Sequence, residues 1–264
     1  MRVLIKGAGD IATGIALRLW RARFAVFMTE IPVPTTVRRT VSFSQAVFDG
    51  TATVEGVTAE LAGSVDAAES IQASGRVPVL IDPTASCLGA LRPEVVVDAI
   101  LAKRNLGTTM TDAPVVIGVG PGFVAGVDCH VVIETQRGHD LGRVILQGSA
   151  LPNTGIPGEI GGRSQQRVLR VPCEGVFRQV LPIGTLVRPG DVVGMVGDVP
   201  VRTEIEGTLR GVLAAGVLVH AGMKCGDVDP RCEERHCYTV SDKARAIGGG
   251  VLEAILALTP DLRR

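Results

Sequence analysis

The chain has 264 residues, 46% hydrophobic and 20% charged, with Lys plus Arg equal to Asp plus Glu at 27 each. Zero net charge gives no broad pull on nucleic acid or anionic lipid, and 3% aromatics argue against a stacking platform for single strands. No apolar run reaches the ~18 residues of a spanning helix, so neither nucleic acid nor membrane is expected as a partner. The six cysteines, with no secretory leader in view, read as reduced thiols of a cytoplasmic protein.

The first element is a short apolar strand, Val3-Leu4-Ile5, running into Gly7-Ala8-Gly9-Asp10-Ile11-Ala12. This is G-x-G-x-x-A at a strand-to-helix turn. Gly7 suits the tight turn, Gly9 the approach of a pyrophosphate, and Ala12 close packing of helix on sheet. Ile11, Ala12, Ile15, Ala16 and Leu19 then recur at helical spacing. A second strand over 24–28 leads to Glu30, about twenty positions beyond Gly9, where a carboxylate would bond a ribose hydroxyl. Arg38 and Arg39, beside Thr40 and Ser42, have the chemistry of an anion clamp. A solvated pair, and glycines that serve only turn and packing, are the plainer alternatives. Asp10 would bring its charge near phosphate oxygens.

Further on, 54–61 reads as a strand, 66–73 as a helix, and 77–81 as a buried strand closed by Asp82-Pro83. Pro93 suits the first position of a helix with Val96, Val97, Ile100 and Leu101 on its buried face. Val115 to Val119 is another apolar strand, ending in Gly120-Pro121-Gly122. Strands follow over 127–134 and 143–146. In and between them Asp128, His130 and His139 are candidates for proton transfer or metal ligation, Asp128 and His130 on one strand face, or members of a salt-bridged polar face.

The clearest internal feature is a repeat. Residues 175–191 match 207–223, each copy glycine, strand, glycine, then Val-x-x-Gly. The pattern resembles the biotinyl/lipoyl carrier fold, a barrel-sandwich hybrid. Carriers hold a modified lysine on the turn between halves, and the turn 196–200 has none. Next come Cys225, Cys232, His236 and Cys237, a conceivable Cys₃His set without zinc-finger spacing, or incidental thiols of a polar loop. Asp227 and Asp229 alternate beside them and suit a harder cation. The last element is a helix over 241–258, with Ser241 as N-cap and Gly248-Gly249-Gly250 marking close packing or a bend. The fold expected is an α/β Rossmann-like nucleotide-binding domain over 1–108. A mainly β domain over 109–264 follows, with a barrel-sandwich-hybrid-like repeat over 175–230 and the C-terminal helix.

Several longer blocks carry a resemblance. Lys6-Gly-Ala-Gly-Asp-Ile-Ala-Thr-Gly14, Gly118-Val-Gly-Pro-Gly-Phe-Val-Ala-Gly126, Asn153-Thr-Gly-Ile-Pro-Gly158 and Ser241-Asp-Lys-Ala-Arg245 are similar to the YqeB-type accessory proteins of the selenium-dependent molybdenum hydroxylase system. The resemblance implies a cytoplasmic protein that assists maturation of hydroxylases related to xanthine dehydrogenase. Its partners would be the apo-enzyme or its other maturation factors, with a homo-oligomer left open. It supplies no catalytic residue and leaves open whether any reaction is catalysed. Joined to the glycine turn, it points to a nucleotide-bearing cofactor, a molybdopterin dinucleotide or NAD(P). An NAD(P)-dependent oxidoreductase using the Asp128/His130/His139 region, and a non-catalytic docking scaffold, are the alternatives.

Overall fold

The computed structural model describes residues 1–156 and 158–259; Pro157, in the 153–158 loop, and 260–264 lie outside them. The chain forms two compact units. The first comprises Met1–Pro34, Ser42–Thr154 and the chain from Val240; the second comprises Thr35–Val41 and Gly155–Thr239.

The first unit opens with β1 (Arg2–Lys6), α1 (Asp10–Arg21) and β2 (Ala25–Glu30). A short α2 (Ala46–Asp49) precedes the hairpin β3 (Thr51–Val54) and β4 (Val57–Ala62). The single strand expected over 54–61 is therefore a turn plus a strand. Glu55 and Gly56 both take positive φ, 47° and 81°, the geometry of a two-residue hairpin loop. Then come α3 (Val65–Ala73), β5 (Val77–Ile81), the short α4 (Leu88–Leu91) and β6 (Val95–Asp98). The helix expected after Pro93 is this strand. Three successive valines are stiff at χ1 and favour a pleated, buried surface, and all four residues of β6 are buried. Finally β7 (Val115–Val119), β8 (Val131–Ile133) and β9 (Val144–Ile145) join the same sheet.

Among the described residues these nine strands form one mixed sheet, ordered β3-β4-β5-β2-β1-β6-β7-β8-β9. Pairing is parallel from β4 to β8 and antiparallel at both edges. The expectation of a Rossmann-like domain ending at 108, followed by a β domain with a barrel-sandwich hybrid, is corrected. The wholly buried apolar runs β7 and β8 pair onto β6, so one sheet draws strands from both sides of residue 108. The side on which successive strands are added changes at β1, which has β2 on one side and β6 on the other.

The closing helix α5 (Asp242–Leu258) packs on α1. Ser241 caps it, accepting a hydrogen bond from the Ala244 N–H at 3.2 Å. Gly248 lies against the Gly14 carbonyl, where a Cβ would stand 3.0 Å away, and Gly250 lies against the Gly142 carbonyl. Gly248 and Gly250 are thus close-packing positions inside a continuous helix, while a Cβ on Gly249 would meet nothing within 4 Å.

The second unit holds β10 (Val168–Arg170), β11 (Gly175–Gln179), β12 (Leu186–Val187), β13 (Val192–Val196), β14 (Val199–Arg202), β15 (Gly207–Val212), β16 (Leu218–Val219) and β17 (Lys224–Asp229). They form two four-stranded sheets, β10-β17-β15-β12 and β14-β13-β11-β16. The two repeat copies exchange strands. In one sheet Gly175 pairs with Val219 and Val176 with Leu218; in the other Gly207 pairs with Val187 and Thr208 with Leu186. Phe177, Leu209, Val196 and Val228 meet in the core between them. The repeat is not a free-standing module, because β10 from upstream fills one sheet edge and Val37 contributes to the same core.

Candidate functional site

The glycine turn sits at the carboxyl end of β1, where strand order reverses. Gly7 has φ +93°, and a Cβ there would stand 3.1 Å from the Ala99 carbonyl oxygen. Only glycine takes that conformation without strain. The Gly7 N–H donates to the Thr29 carbonyl at 2.9 Å, tying the turn to the end of β2. Glu30 accepts from the Ala8 N–H at 2.9 Å and from the Ile31 N–H at 2.8 Å. Burial pushes its carboxyl above the ordinary value, against those two hydrogen bonds. The Ala8 carbonyl accepts from the Ser44 N–H at 2.8 Å and from Thr13 Oγ1 at 3.2 Å, so Ser44 and Thr13 brace the turn.

Ala8, Ile11 and Ala12 are buried, whereas Gly9 and Asp10 are half-buried. Gly9 begins α1 in an extended conformation, φ −66° and ψ −177°, with no side-chain cap. A helix that starts uncapped presents its first-turn N–H groups and the positive end of its dipole outward.

Two cations near this edge escaped sequence reading. Lys6, the last residue of β1, is buried, with Nζ 2.6 Å from Thr108 Oγ1 and 3.7 Å from Asp98 Oδ2. Thr108 in turn donates to Asp98 at 2.6 Å. Lys243, in the first turn of α5, is half-buried. Burial and the charge of Arg137 lower its pKa, against the nearby carboxylates of Asp10, Glu134 and Asp242. A buried lysine at the end of an apolar strand was the one signal available for the first. Nothing local marks the second, because helix packing brings residues 10 and 243 together.

The other candidates have different duties. Arg38 and Arg39 lie in the second unit. Arg38 donates to the His236 and Thr239 carbonyls at 2.9 and 3.2 Å; Arg39 donates to the Val212 carbonyl at 2.9 Å and to Gln179. These hydrogen bonds run to backbone carbonyls and to the Gln179 side chain, all within the second unit. Asp128 accepts from the Val124 N–H at 2.7 Å, and His130 Nδ1 accepts from the Val116 N–H at 3.0 Å. His139 is exposed. Among the described residues no hydrogen bond joins the three, and β8 starts only at Val131, so the shared strand face expected for Asp128 and His130 is corrected.

The Cys₃His expectation is also corrected: among the described residues, no group of three or more His, Cys, Asp or Glu side chains could hold a metal. Cys225 is buried in the sheet core, where burial pushes its thiol up to about 12. Cys237 is buried too, while Cys232 is exposed. The alternating Asp227 and Asp229 meet arginines. Asp227 is paired with Arg167 and Arg210, and Asp229 with Arg210 and Arg231. His236 Nδ1 is 3.8 Å from Asp229 Oδ2, and burial and Arg231 lower its pKa.

Among solved structures, the chain has slight likeness to an aspartoacylase family protein from Mesorhizobium loti. That match has 13% identity and TM-score 0.28 and covers 86% of this chain and 83% of that one. A succinylglutamate desuccinylase/aspartoacylase from Rhodobacter sphaeroides gives 16% identity and TM-score 0.28, covering 86% and 84%. At these scores the likeness carries no argument about activity. No family model matches the chain. In sequence, the chain is 54% identical over 256 residues to the uncharacterized protein YqeB of Escherichia coli (strain K12). The match covers 97% of this chain and 47% of that protein, so the chain spans about half the relative's length. No helix among the described residues is long and apolar enough to cross a membrane.

Proposed function

We propose that the chain holds a diphosphate-bearing molecule, a molybdopterin dinucleotide or NAD(P), at the turn Gly7 to Ala12. In this reading it acts in the cytoplasm as an accessory protein in maturation of selenium-dependent molybdenum hydroxylases, with the apo-enzyme or its other maturation factors as partners. One observation carries the ligand: an uncapped helix begins from a two-glycine turn at the point where strand order reverses. In open α/β sheets ligands gather outside the carboxyl ends of strands at such a point, and an uncapped helix start favours phosphate. The residues fit a dinucleotide in three respects. Gly9 is partly open, Glu30 ends β2 with its carboxylate turned to the glycine turn, and Lys243 offsets the unfavourable charge of Asp10. The pathway rests on the resemblance to YqeB-type proteins.

Calorimetric titration of the whole chain with ADP, NAD, NADP and a molybdopterin dinucleotide tests the reading. Saturable binding to at least one is expected, lost in Gly9→Val, whose added side chain would cover the open main chain. A chain with no affinity for any of the four overturns it.

A further inference from the structure

We infer that the outer face of the β14-β13-β11-β16 sheet docks a partner polypeptide presenting a carboxylate between apolar side chains. The repeat itself supplies the argument. Arg178 on β11 corresponds to Arg210 on β15, 32 positions on. Arg210 is buried and paired with Asp227 and Asp229 of β17. Around it the second unit's own chain closes the face. Val37 accepts the Val212 N–H at 2.8 Å, Val37 and Arg38 lie on Gly211, and Arg167 bonds Asp227.

The sister face has none of this cover. The positions matching Asp227 and Asp229 are Met195 and Gly197, so no carboxylate answers Arg178 from within. Among the described residues Arg178 has no hydrogen bond or ion pair. Met195 is its cross-strand neighbour, and Val176 and Leu218 form the next pair, 53% and 77% exposed. An antiparallel sheet with one face in water ordinarily turns polar residues outward. Here the exposed Val176 and Leu218 lie beside Arg178, with a second exposed arginine, Arg202, on the edge strand β14, an apolar and cationic mix suited to an interaction patch. Charge complementarity sets the occupant: the two aspartates that satisfy Arg210 show what its twin lacks. The proposal is independent of the nucleotide reading.

The test uses the whole chain and the heptapeptide Leu-Gly-Asp-Val-Asp-Pro-Leu, built on the 226–230 sequence that answers Arg210. Backbone amide shifts are followed by NMR. Saturable shifts centred on Val176, Arg178, Met195 and Leu218 are expected. Replacing both peptide aspartates by asparagine, or Arg178→Glu in the chain, should weaken binding about tenfold or more, with the melting temperature of R178E unchanged. No shifts at millimolar peptide, shifts elsewhere, or equal binding by R178E would overturn the proposal. So would movement of the same amides with chain concentration alone, which would make a second copy the occupant.

Discussion

The two sheets of the second unit are built from one repeated backbone plan, yet they do different work. Each copy lends its short second strand to the other's sheet in the same register, 32 positions apart. The edge beside β13 is filled by β14, its own hairpin partner, whereas the edge beside β17 is filled by β10, from before the repeat. That difference goes with burial. Every residue of β15 is buried, while β11 keeps Val176 and Arg178 exposed. The repeat therefore dictates strand pairing and inward packing. What happens on an outer face depends on what the remaining chain lays across it.

Substitutions at twin positions break this comparison open, and the largest difference is expected at the acids. Asp227→Ala leaves Arg167 and Arg210 buried without their shared carboxylate and should cost about 3–5 kcal/mol. Met195→Ala, its twin, should cost about 1 kcal/mol. Urea midpoints at constant m read both, and equal losses would mean that the two faces are not differently loaded.

The next effect is pH dependence. Burial alone would raise the Asp229 carboxyl, but hydrogen bonds from Arg231 and the charges of Arg210 and Arg231 hold it down at about 2. A depressed folded-state value stabilises above the unfolded carboxylate range near pH ~3.9, and that stability is lost as pH falls from there toward 2. The loss should amount to roughly 2 kcal/mol, seen as an acid limb in stability against pH. Asp229→Asn should flatten that limb.

Smaller again is a pair of glycines. A Cβ on Gly207 would stand 2.5 Å from the Asp229 carbonyl oxygen, which cannot swing away. On Gly175 it would meet only a methyl of Val196, at 2.7 Å, although there φ is +147°. Gly207→Ala should cost at least about 1 kcal/mol, and more than Gly175→Ala in thermal unfolding. The smallest effect is Arg178→Ala, within about 0.5 kcal/mol; a larger loss would show that this arginine already has a structural partner.

Local pattern determined a good deal by itself. The strand, two-glycine turn and helix of residues 3–19, the strand ending at Glu30, and the Ser241-capped helix all follow from apolar spacing, caps and glycine conformations. Each depends on groups only a few residues apart. Local pattern misleads at Val95 to Val97, where a proline and i, i+4 apolar spacing suit a helix while three β-branched residues at the sheet centre form a strand, and at residues 54–61, where a hairpin turn interrupts the apolar run. Tertiary structure alone decided the rest. Arg38 and Arg39 follow the second strand in sequence yet brace the second unit, through partners some 140 to 200 positions away. Lys243 comes beside Asp10 only because glycines let α5 lie against α1. Charges and hydrogen bonds act through space, and which ones meet is settled by packing rather than by order along the chain.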